Sequence, residues 1–305
     1  MKKRLKVLIA TDYSEASAKA EMYGLRLAEH SGFHVEFLHI FEPPLANPLA
    51  PFDAEKIEYN PFVYEENKLT KHVTGLLESQ NSKLSANDVS TTIREGLTGP
   101  QIIAEAEESD IDLIMVGTHG VSGFKEFFIG SHAWDVIKNS HIPVLAIPPM
   151  CTFEGIHRVV FATDYREGEI PGIKFALKLS RFLKADFKAV HVNNPFIKTI
   201  DNEKLLSEFQ DNLINQLGSL SFPISAIPSD DVSEALDQYC VAEKADWLSM
   251  SPEIPSLLEK IFVPNVSMTR KMSFLTNIPL LAIPDFYNTR QESFWDLISD
   301  DTVFE

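Results

Sequence analysis

Short apolar runs alternate along the chain with longer segments in which apolar residues recur every three or four positions. The first run, residues 6–10, is apolar after its first position, as expected of a β-strand buried on both faces. Ser14 is a suitable N-cap for the helix that follows, and Gly32 ends that helix. By the same criteria we predict strands near residues 6–10, 33–40, 89–94, 111–116, 143–147, 157–162, 186–192, 222–227, 246–250 and 279–283, and further helices near 62–80, 99–108 and 131–139. Alternating strands and helices of these lengths indicate parallel sheets wrapped by helices.

The pattern occurs twice along the chain. Residues 10–13, Ala-Thr-Asp-Tyr, recur 152 positions later at 162–165, and residues 142–148 recur with few changes at 278–284. Ordered landmarks that repeat at consistent spacing indicate a duplication. We therefore predict an α/β fold made of two tandem domains, each with an open five-stranded parallel sheet.

The repeat also predicts the domain boundaries. Residues 1–148 form the first domain and residues 156–284 the second, with a proline-containing linker between them. Residues 285–305 carry six acidic residues, one basic residue and several aromatic residues, and we expect this tail to pack as a short helix onto one domain. Residues 41–61 contain five prolines and are predicted to form a long extended loop, which is either a ligand lid or a plain connection.

Composition limits the class of function. The 27 basic and 44 acidic side chains give a net charge of −17, which argues against binding nucleic acid or anionic membranes by phosphate neutralisation. A small phosphate-bearing ligand remains compatible, because backbone N–H groups can hold phosphates. Cys151 and Cys240 form no CxxC pair, which disfavours a disulfide scaffold or a zinc ribbon. With no long apolar stretch, we expect a cytoplasmic protein without a membrane span.

The most informative segment follows the fourth predicted strand. Val116 ends that strand, Gly117 and Gly120 lie in the loop after it, and Gly130 and Ser131 open the next helix. The glycines allow close backbone approach to a ligand. The helix start offers N–H groups, a hydroxyl and the positive end of the helix dipole to a phosphate. The segment thus has the chemistry of a phosphate-binding loop, although ordinary turn glycines would give the same spacing.

Asp12 follows the first predicted strand and belongs at the same edge of the sheet. Open parallel sheets bind ligands beyond the carboxyl ends of their strands, where a carboxylate suits ribose hydroxyls or an adenine amino group. The patterns GxxxxGK[ST] and GxGxxG are absent, which disfavours a Walker-type NTPase and a dinucleotide-binding dehydrogenase. No GxSxG elbow is present, so acyl transfer has no support.

These residues resemble the nucleotide motif of the universal stress protein family, Gly-x2-Gly-x9-Gly-(Ser/Thr). The motif is intact as Gly117, Gly120, Gly130 and Ser131, and the segment Ala-Thr-Asp-Tyr-Ser at residues 10–14 is similar as well. The resemblance covers both halves of the chain. It implies a tandem member of the family, with Rossmann-like domains of the adenine nucleotide alpha hydrolase-like type.

The resemblance also implies a ligand. In ATP-binding members, the residues that match Asp12 and Ile40 line the adenosine pocket. The loop glycines and the Gly-Ser pair take the phosphates, often with a divalent cation. We therefore expect ATP, or AMP or ADP, with Mg²⁺ or Mn²⁺ as a possible companion and no assigned metal ligands. Ala133 stands where many ATP-binding members have a second hydroxyl, which removes one phosphate contact.

The second copy departs from the motif. Its corresponding loop at residues 250–255 lacks the glycines, and Pro252 and Pro255 remove backbone donors. Glu253 would place negative charge where a phosphate should bind. We expect this degenerate domain to act as a structural partner or to hold an apolar ligand.

Four histidines admit different interpretations. His39 and His191 recur at equivalent places in apolar strands, and we predict hydrogen-bonded core residues rather than a metal pair. His119 and His132 flank the predicted phosphate end, where they either donate to phosphate oxygens or face solvent. The glutamates at 105, 107 and 108 are predicted to form a solvated helix face.

The favoured hypothesis is a nucleotide-dependent regulator in the stress response, with no assigned catalytic residue and at most slow ATP hydrolysis. The alternative is a nucleotide-free stress protein that binds a partner, a lipid or another small ligand. The family commonly pairs domains through the last strand, here within residues 142–147 and 278–283. The resemblance thus implies an intramolecular pseudo-dimer, which could associate further as a homodimer.

Overall fold

The apolar runs form the strands of one long sheet, with amphipathic helices on both of its faces. A computed structural model of the chain describes residues 4–42, 60–120, 127–128, 130–193, 202–219, 221–251 and 278–284. The strands are β1 (Lys6–Thr11), β2 (His34–Phe41), β3 (Val89–Glu95), β4 (Leu113–Gly117), β5 (His119–Gly120), β6 (Phe127–Phe128), β7 (Val144–Ile147), β8 (Arg158–Ala162), β9 (Asp186–Asn193), β10 (Ile224–Pro228), β11 (Trp247–Met250) and β12 (Leu280–Ala282). The helices are α1 (Glu15–Ser31), α2 (Pro61–Ser79), α3 (Thr98–Glu108), α4 (Ser131–Asn139), α5 (Ile170–Phe182), α6 (Asn202–Leu217) and α7 (Val232–Glu243).

Ten strands pair in the order β10-β9-β8-β11-β12-β7-β4-β1-β2-β3, while β5 and β6 form a separate short hairpin. The first half of the molecule, β1 to β7, and the second half, β8 to β12, have the same internal strand order. Within each half, the strands of the ten-stranded sheet pair in parallel. The halves meet where β12 runs antiparallel to β7, with Leu281 opposite Leu145. The fold is therefore α/β, Rossmann-like and mostly parallel, as predicted.

The predicted strands and helices of the described residues agree with the observed ones to within about two residues, the usual uncertainty of element ends. Ser14 Oγ accepts the amide hydrogen of Ser17 (3.2 Å), and Gly32 ends α1 in the left-handed conformation (φ 75°). Both helix signals are therefore confirmed. The β5–β6 hairpin was not predicted, because two-residue strands produce no periodicity.

One prediction about surface charge is wrong. Glu105 is buried rather than solvated (3% exposed), and it accepts hydrogen bonds from Arg94 and Ser109. The run of glutamates on α3 does not indicate this burial, because the partner Arg94 lies on β3, eleven residues earlier in the sequence. Most of the predicted loop at 41–61, the second-copy loop from residue 252 and the tail from residue 285 lie outside the described residues.

The core lies in two layers, one on each face of the sheet, and both layers draw side chains from both halves. One contact across the halves is polar. The buried indole of Trp247 in β11 donates a hydrogen bond from Nε1 to the hydroxyl of Tyr23 in α1 (2.7 Å). The halves are thus packed through a shared core as well as through the sheet.

Candidate functional site

A cavity of about 380 Å³ lies at the carboxyl ends of β1, β2 and β4, between the N-terminal ends of α1, α3 and α4. Its wall includes six of the seven residues predicted for the site. These are Asp12, Ile40, Val116, Gly117, Gly130 and Ser131. The seventh, Gly120, lies three residues beyond Gly117 in β5, which pairs with β6. Residues that are far apart in the sequence therefore surround one cavity, and this cavity is the candidate site.

The turn between β1 and α1 forms one wall. Asp12 Oδ1 accepts the amide hydrogen of Ser14 (3.0 Å), and Ser17 Oγ donates to the carbonyl of Ser14 (3.0 Å). Burial alone would raise the pKa of Asp12, but hydrogen bonds from Ser14 and Ser17 lower it below its usual value. The carboxylate is therefore ionised near neutral pH and presents acceptor oxygens to the cavity.

Gly117 lets the end of β4 touch the start of α1. A Cβ atom at this position would overlap the carbonyl oxygen of Ala16 and lie 3.0 Å from the amide nitrogen of Ser17. Both neighbours are backbone atoms, which cannot rotate away. Glycine is thus required for close packing here, and this is a physical reason for its place in the motif.

The start of α4 forms the opposite wall. Gly130 is the N-cap residue, and no side chain caps the helix there. The first amide groups of α4 therefore have no side-chain acceptor among the described residues, and they carry the positive end of the helix dipole. Ser131 and His132 lie on this wall with exposed side chains, and the small side chain of Ala133 is buried in it. This end of the cavity has the chemistry of an anion-binding site.

Residues of α3 and β2 that the sequence analysis did not select complete the wall. Thr98 and Ile102 contribute from α3, and Leu38 contributes from β2. The rule that ligands bind beyond the strand ends could have suggested Thr98, which opens the helix after β3. Ile102 depends on which helix packs beside β4, and this is tertiary information.

The wall carries little charge. Among its described residues Asp12 is the one carboxylate, and no lysine or arginine contributes. An anionic ligand would rely on backbone amides, the α4 dipole, His132 and a bound cation. Mg²⁺ and Mn²⁺ prefer oxygen ligands, and the wall offers the carboxylate of Asp12 and hydroxyls such as that of Ser131. The donor set is therefore compatible with a cation that is shared with a phosphate.

His39 stabilises the Asp12 turn from behind. Its Nδ1 lies 2.8 Å from the carbonyl oxygen of Thr11, and since a carbonyl only accepts, Nδ1 carries the hydrogen. The ring also packs against Tyr13, with the centroids 4.4 Å apart. His191 makes the same bond to Thr163 in the second half (2.8 Å). The described residues contain no group of three or more His, Cys, Asp or Glu side chains that could hold a metal. The two bonds to threonine carbonyls confirm that both histidines are hydrogen-bonded within the fold.

Comparison with known proteins identifies the class. The chain is an α/β protein with a cavity at the carboxyl ends of its strands, the place where open parallel sheets commonly bind ligands. The universal stress protein family matches residues 3–148. Universal stress protein YxiE of Bacillus subtilis is 31% identical over 147 residues, which are 47% of this chain and 97% of that protein. A universal stress protein of Methanocaldococcus jannaschii is 28% identical over 145 residues, or 47% of this chain and 81% of its own. The chain belongs to the universal stress protein family.

A solved structure extends the likeness beyond the first half. A universal stress protein of Archaeoglobus fulgidus superposes with a TM-score of 0.65, covering 92% of this chain and 98% of that one. At 16% identity this likeness concerns the fold alone. No helix among the described residues has the length and apolar character needed to cross a membrane.

Proposed function

We propose that residues 1–148 form a domain that binds ATP, or AMP or ADP, and that the chain acts as a nucleotide-dependent regulator in the stress response. The observation that carries the proposal is the convergence of six predicted site residues on one cavity of about 380 Å³. This volume is within the range of small-molecule sites. Membership of the universal stress protein family supports the stress-related role.

The chemistry of the cavity supports an adenine nucleotide. Apolar side chains, Leu38, Ile40 and Ile102, offer a surface for a flat base, and the ionised Asp12 accepts hydrogen bonds from hydroxyl or amino groups. The uncapped start of α4 suits a phosphate. When bound, Mg²⁺ or Mn²⁺ would supply the positive charge that the wall lacks.

We further propose that residues 156–284 form a degenerate second domain, that residues 285–305 form a separate tail, and that the two domains act as an intramolecular pseudo-dimer. Antiparallel pairing of Leu281 with Leu145 supports the pseudo-dimer. The absence of regular structure over residues 148–157 supports a linker there. Sedimentation or light scattering would establish whether chains associate further.

Nucleotide binding is tested by native mass spectrometry of the purified chain and by calorimetric titration with ATP, with and without Mg²⁺ or Mn²⁺. Asp12→Asn keeps the size of the side chain but removes its charge. We expect this variant to weaken ATP binding about 10-fold or more, because hydrogen bonds to a charged group are lost.

Glu15→Gln is the matched control, because Glu15 is an exposed acid at the start of α1 that does not line the cavity. It should bind ATP like the wild type. If neither co-purified nor added adenine nucleotide binds at all, the proposal is wrong and the nucleotide-free alternative is favoured. ATP cleavage in the bound complex, lost in Asp12→Asn, would identify a slow hydrolase.

A further inference from the structure

Glu169 is a fully buried carboxylate at the turn that follows β8, the first strand of the second half. It lies at the end of a short 3-10 turn, with 0% of its surface exposed. Its Oε2 accepts hydrogen bonds from Thr163 Oγ1 (2.6 Å), from the amide of Asp164 (3.1 Å) and from the amide of Arg166 (3.3 Å). The Arg166 guanidinium lies 3.6 Å from Oε1. Thr163, Asp164 and Arg166 therefore donate hydrogen bonds to one carboxyl oxygen, and the guanidinium adds positive charge nearby. Burial raises the pKa of Glu169, and the bonds from Thr163 and Asp164 and the charge of Arg166 oppose that shift.

The first half has a different residue at the same place. With the offset of 152, Glu169 corresponds to Ser17, which lines the candidate cavity. The small side chain of Ser17 leaves room beside the turn. In the second half, the glutamate side chain occupies the equivalent position.

The first half also has a buried carboxylate, but it lies farther along its helix. Glu21 accepts a hydrogen bond from the hydroxyl of Thr11 and another from His72 Nε2 (2.9 Å). Glu21 lies four residues after Ser17, or about one helical turn. Each half therefore satisfies its threonine hydroxyl with a carboxylate. In the first half this carboxylate belongs to a residue one helical turn farther along α1. In the second half it belongs to a residue of the turn that follows β8.

We propose that Glu169 acts as a tethered anionic ligand. Its side chain, which belongs to the chain itself, occupies the place in the second half that corresponds to the Ser17 wall of the candidate cavity. The second half is then closed to external ligands at this turn, and the chain takes up a single nucleotide, in its first half. The nucleotide count rests on the function proposed above, whereas the tethered carboxylate does not.

A tethered ligand can be replaced by a free one. Glu169→Ala deletes a CH₂–COO⁻ group, which has the size and charge of acetate, and leaves the hydroxyl and two amides as donors. Unsatisfied buried donors destabilise a fold. We expect the melting temperature to fall by roughly 3–10 °C and sodium acetate to restore part of this loss. Sodium chloride at equal ionic strength should restore none of it.

Glu167→Ala is the matched control, because Glu167 is an exposed glutamate in the same short turn. Its melting temperature and that of the wild type should respond to acetate no more than to chloride. Equal acetate shifts in all three proteins would overturn the proposal. Should Glu169→Ala fail to fold, Glu169→Gln serves instead, since it keeps the volume but turns an amide group toward donors. It should melt below the wild type without responding to acetate, and wild-type stability in this variant would refute the tethered ligand.

Native mass spectrometry of the full chain with excess ATP tests the stoichiometry. One nucleotide per chain is expected, and two would overturn the closed second half. Binding of none would refute the proposed function and the nucleotide count, while the acetate experiment would still decide the role of Glu169.

Discussion

The two halves of the molecule end their first strands in the same way. In each, a tyrosine follows Thr-Asp in the left-handed conformation, with φ 62° for Tyr13 and 60° for Tyr165. In each, a histidine from the second strand donates to the threonine carbonyl at 2.8 Å. The second half keeps this arrangement although its glycine motif is absent from the sequence. The turn and its histidine therefore belong to the scaffold that both halves share, and their presence does not by itself indicate a bound ligand.

The halves differ in how much side chain they place around that turn. Leu113 pairs with Val7, and Trp247 pairs with Val159, which is 152 positions after Val7, so Gly117 in the first half corresponds to Ser251 in the second. The buried hydroxyl of Ser251 donates to the carbonyl of Ile283 (3.0 Å). Ser17 corresponds to the larger Glu169. The cavity is found where both positions carry the smaller residue. The candidate cavity thus depends on small side chains at these two positions as well as on the functional groups in its wall.

Of the exchanges that test this contrast, the one at position 117 should have the largest effect on stability. Gly117→Ser introduces the second-half residue, and its Cβ would overlap the carbonyl oxygen of Ala16. We expect the free energy of unfolding to fall by about 2–4 kcal/mol, because the end of β4 and the start of α1 must separate. ATP affinity should fall more than about 10-fold for the same reason. Urea unfolding and calorimetric titration measure the two effects.

Gly75→Ser is the control for this exchange. Gly75 lies in α2 with no atom within 4 Å of an added Cβ, so the same substitution should change stability by less than about 1 kcal/mol. Comparable losses in the two variants would show that close packing at Gly117 is unimportant.

A second contrast lies at corresponding positions of the second strand in each half. In the second half, Lys188 forms an ion pair with Glu243 (2.6 Å). In the first half, the corresponding residue is Glu36, whose buried carboxyl accepts a hydrogen bond from Thr92 (3.0 Å) and interacts with the carboxyl of Glu105. Burial, followed by the bond to Glu105, raises the pKa of Glu36 to about 7. The second half therefore has an oppositely charged pair at this place, whereas the first half has two carboxyl groups, one of which is paired with Arg94.

This difference predicts a pH dependence that belongs to the first half. A pKa raised above the unfolded value of 4.5 means that the folded state holds the proton more tightly. The stabilisation is complete below pH 4.5 and is lost as the pH rises through about 7. Relative to Glu36→Gln, the wild type should lose roughly 1–3 kcal/mol of unfolding free energy between pH 5 and pH 8.

Denaturant unfolding at several pH values measures this loss. Glu66→Gln, an exposed position on α2, should leave the wild-type pH profile unchanged. A Glu36→Gln profile parallel to that of the wild type would contradict the raised pKa of Glu36.

These contrasts show which features could be predicted from the sequence. The strands, the capped α1 and the motif glycines were predicted, because buried runs, caps and close backbone approach each restrict the residue type locally. Ile102 was missed, because its place in the cavity depends on helix packing. Glu169 was missed because the sequence does not distinguish it from the exposed Glu167 two residues earlier. The donors that make its burial possible meet only when the chain turns back after β8.

A third contrast lies at the contact between the two halves. Tyr23 and Trp247, which share a hydrogen bond of 2.7 Å, have the counterparts Phe175 and Leu113. Those two line a small apolar gap elsewhere in the same core layer. The repeat therefore has a polar contact on one side and an apolar contact on the other. This asymmetry favours association of a first half with a second half over association of two first halves or of two second halves.

Breaking that bond should have the smallest of the three effects. Tyr23→Phe leaves the buried Trp247 N–H without its acceptor, and we expect a loss of about 1–2 kcal/mol in the free energy of unfolding. Tyr165→Phe is the matched control, since the buried hydroxyl of Tyr165 forms no hydrogen bond with a described residue and its removal should cost almost nothing. If the two variants unfold alike in urea, the hydrogen bond adds no stability to the interface. The shared apolar core and the β7–β12 pairing would then hold the two halves together without it.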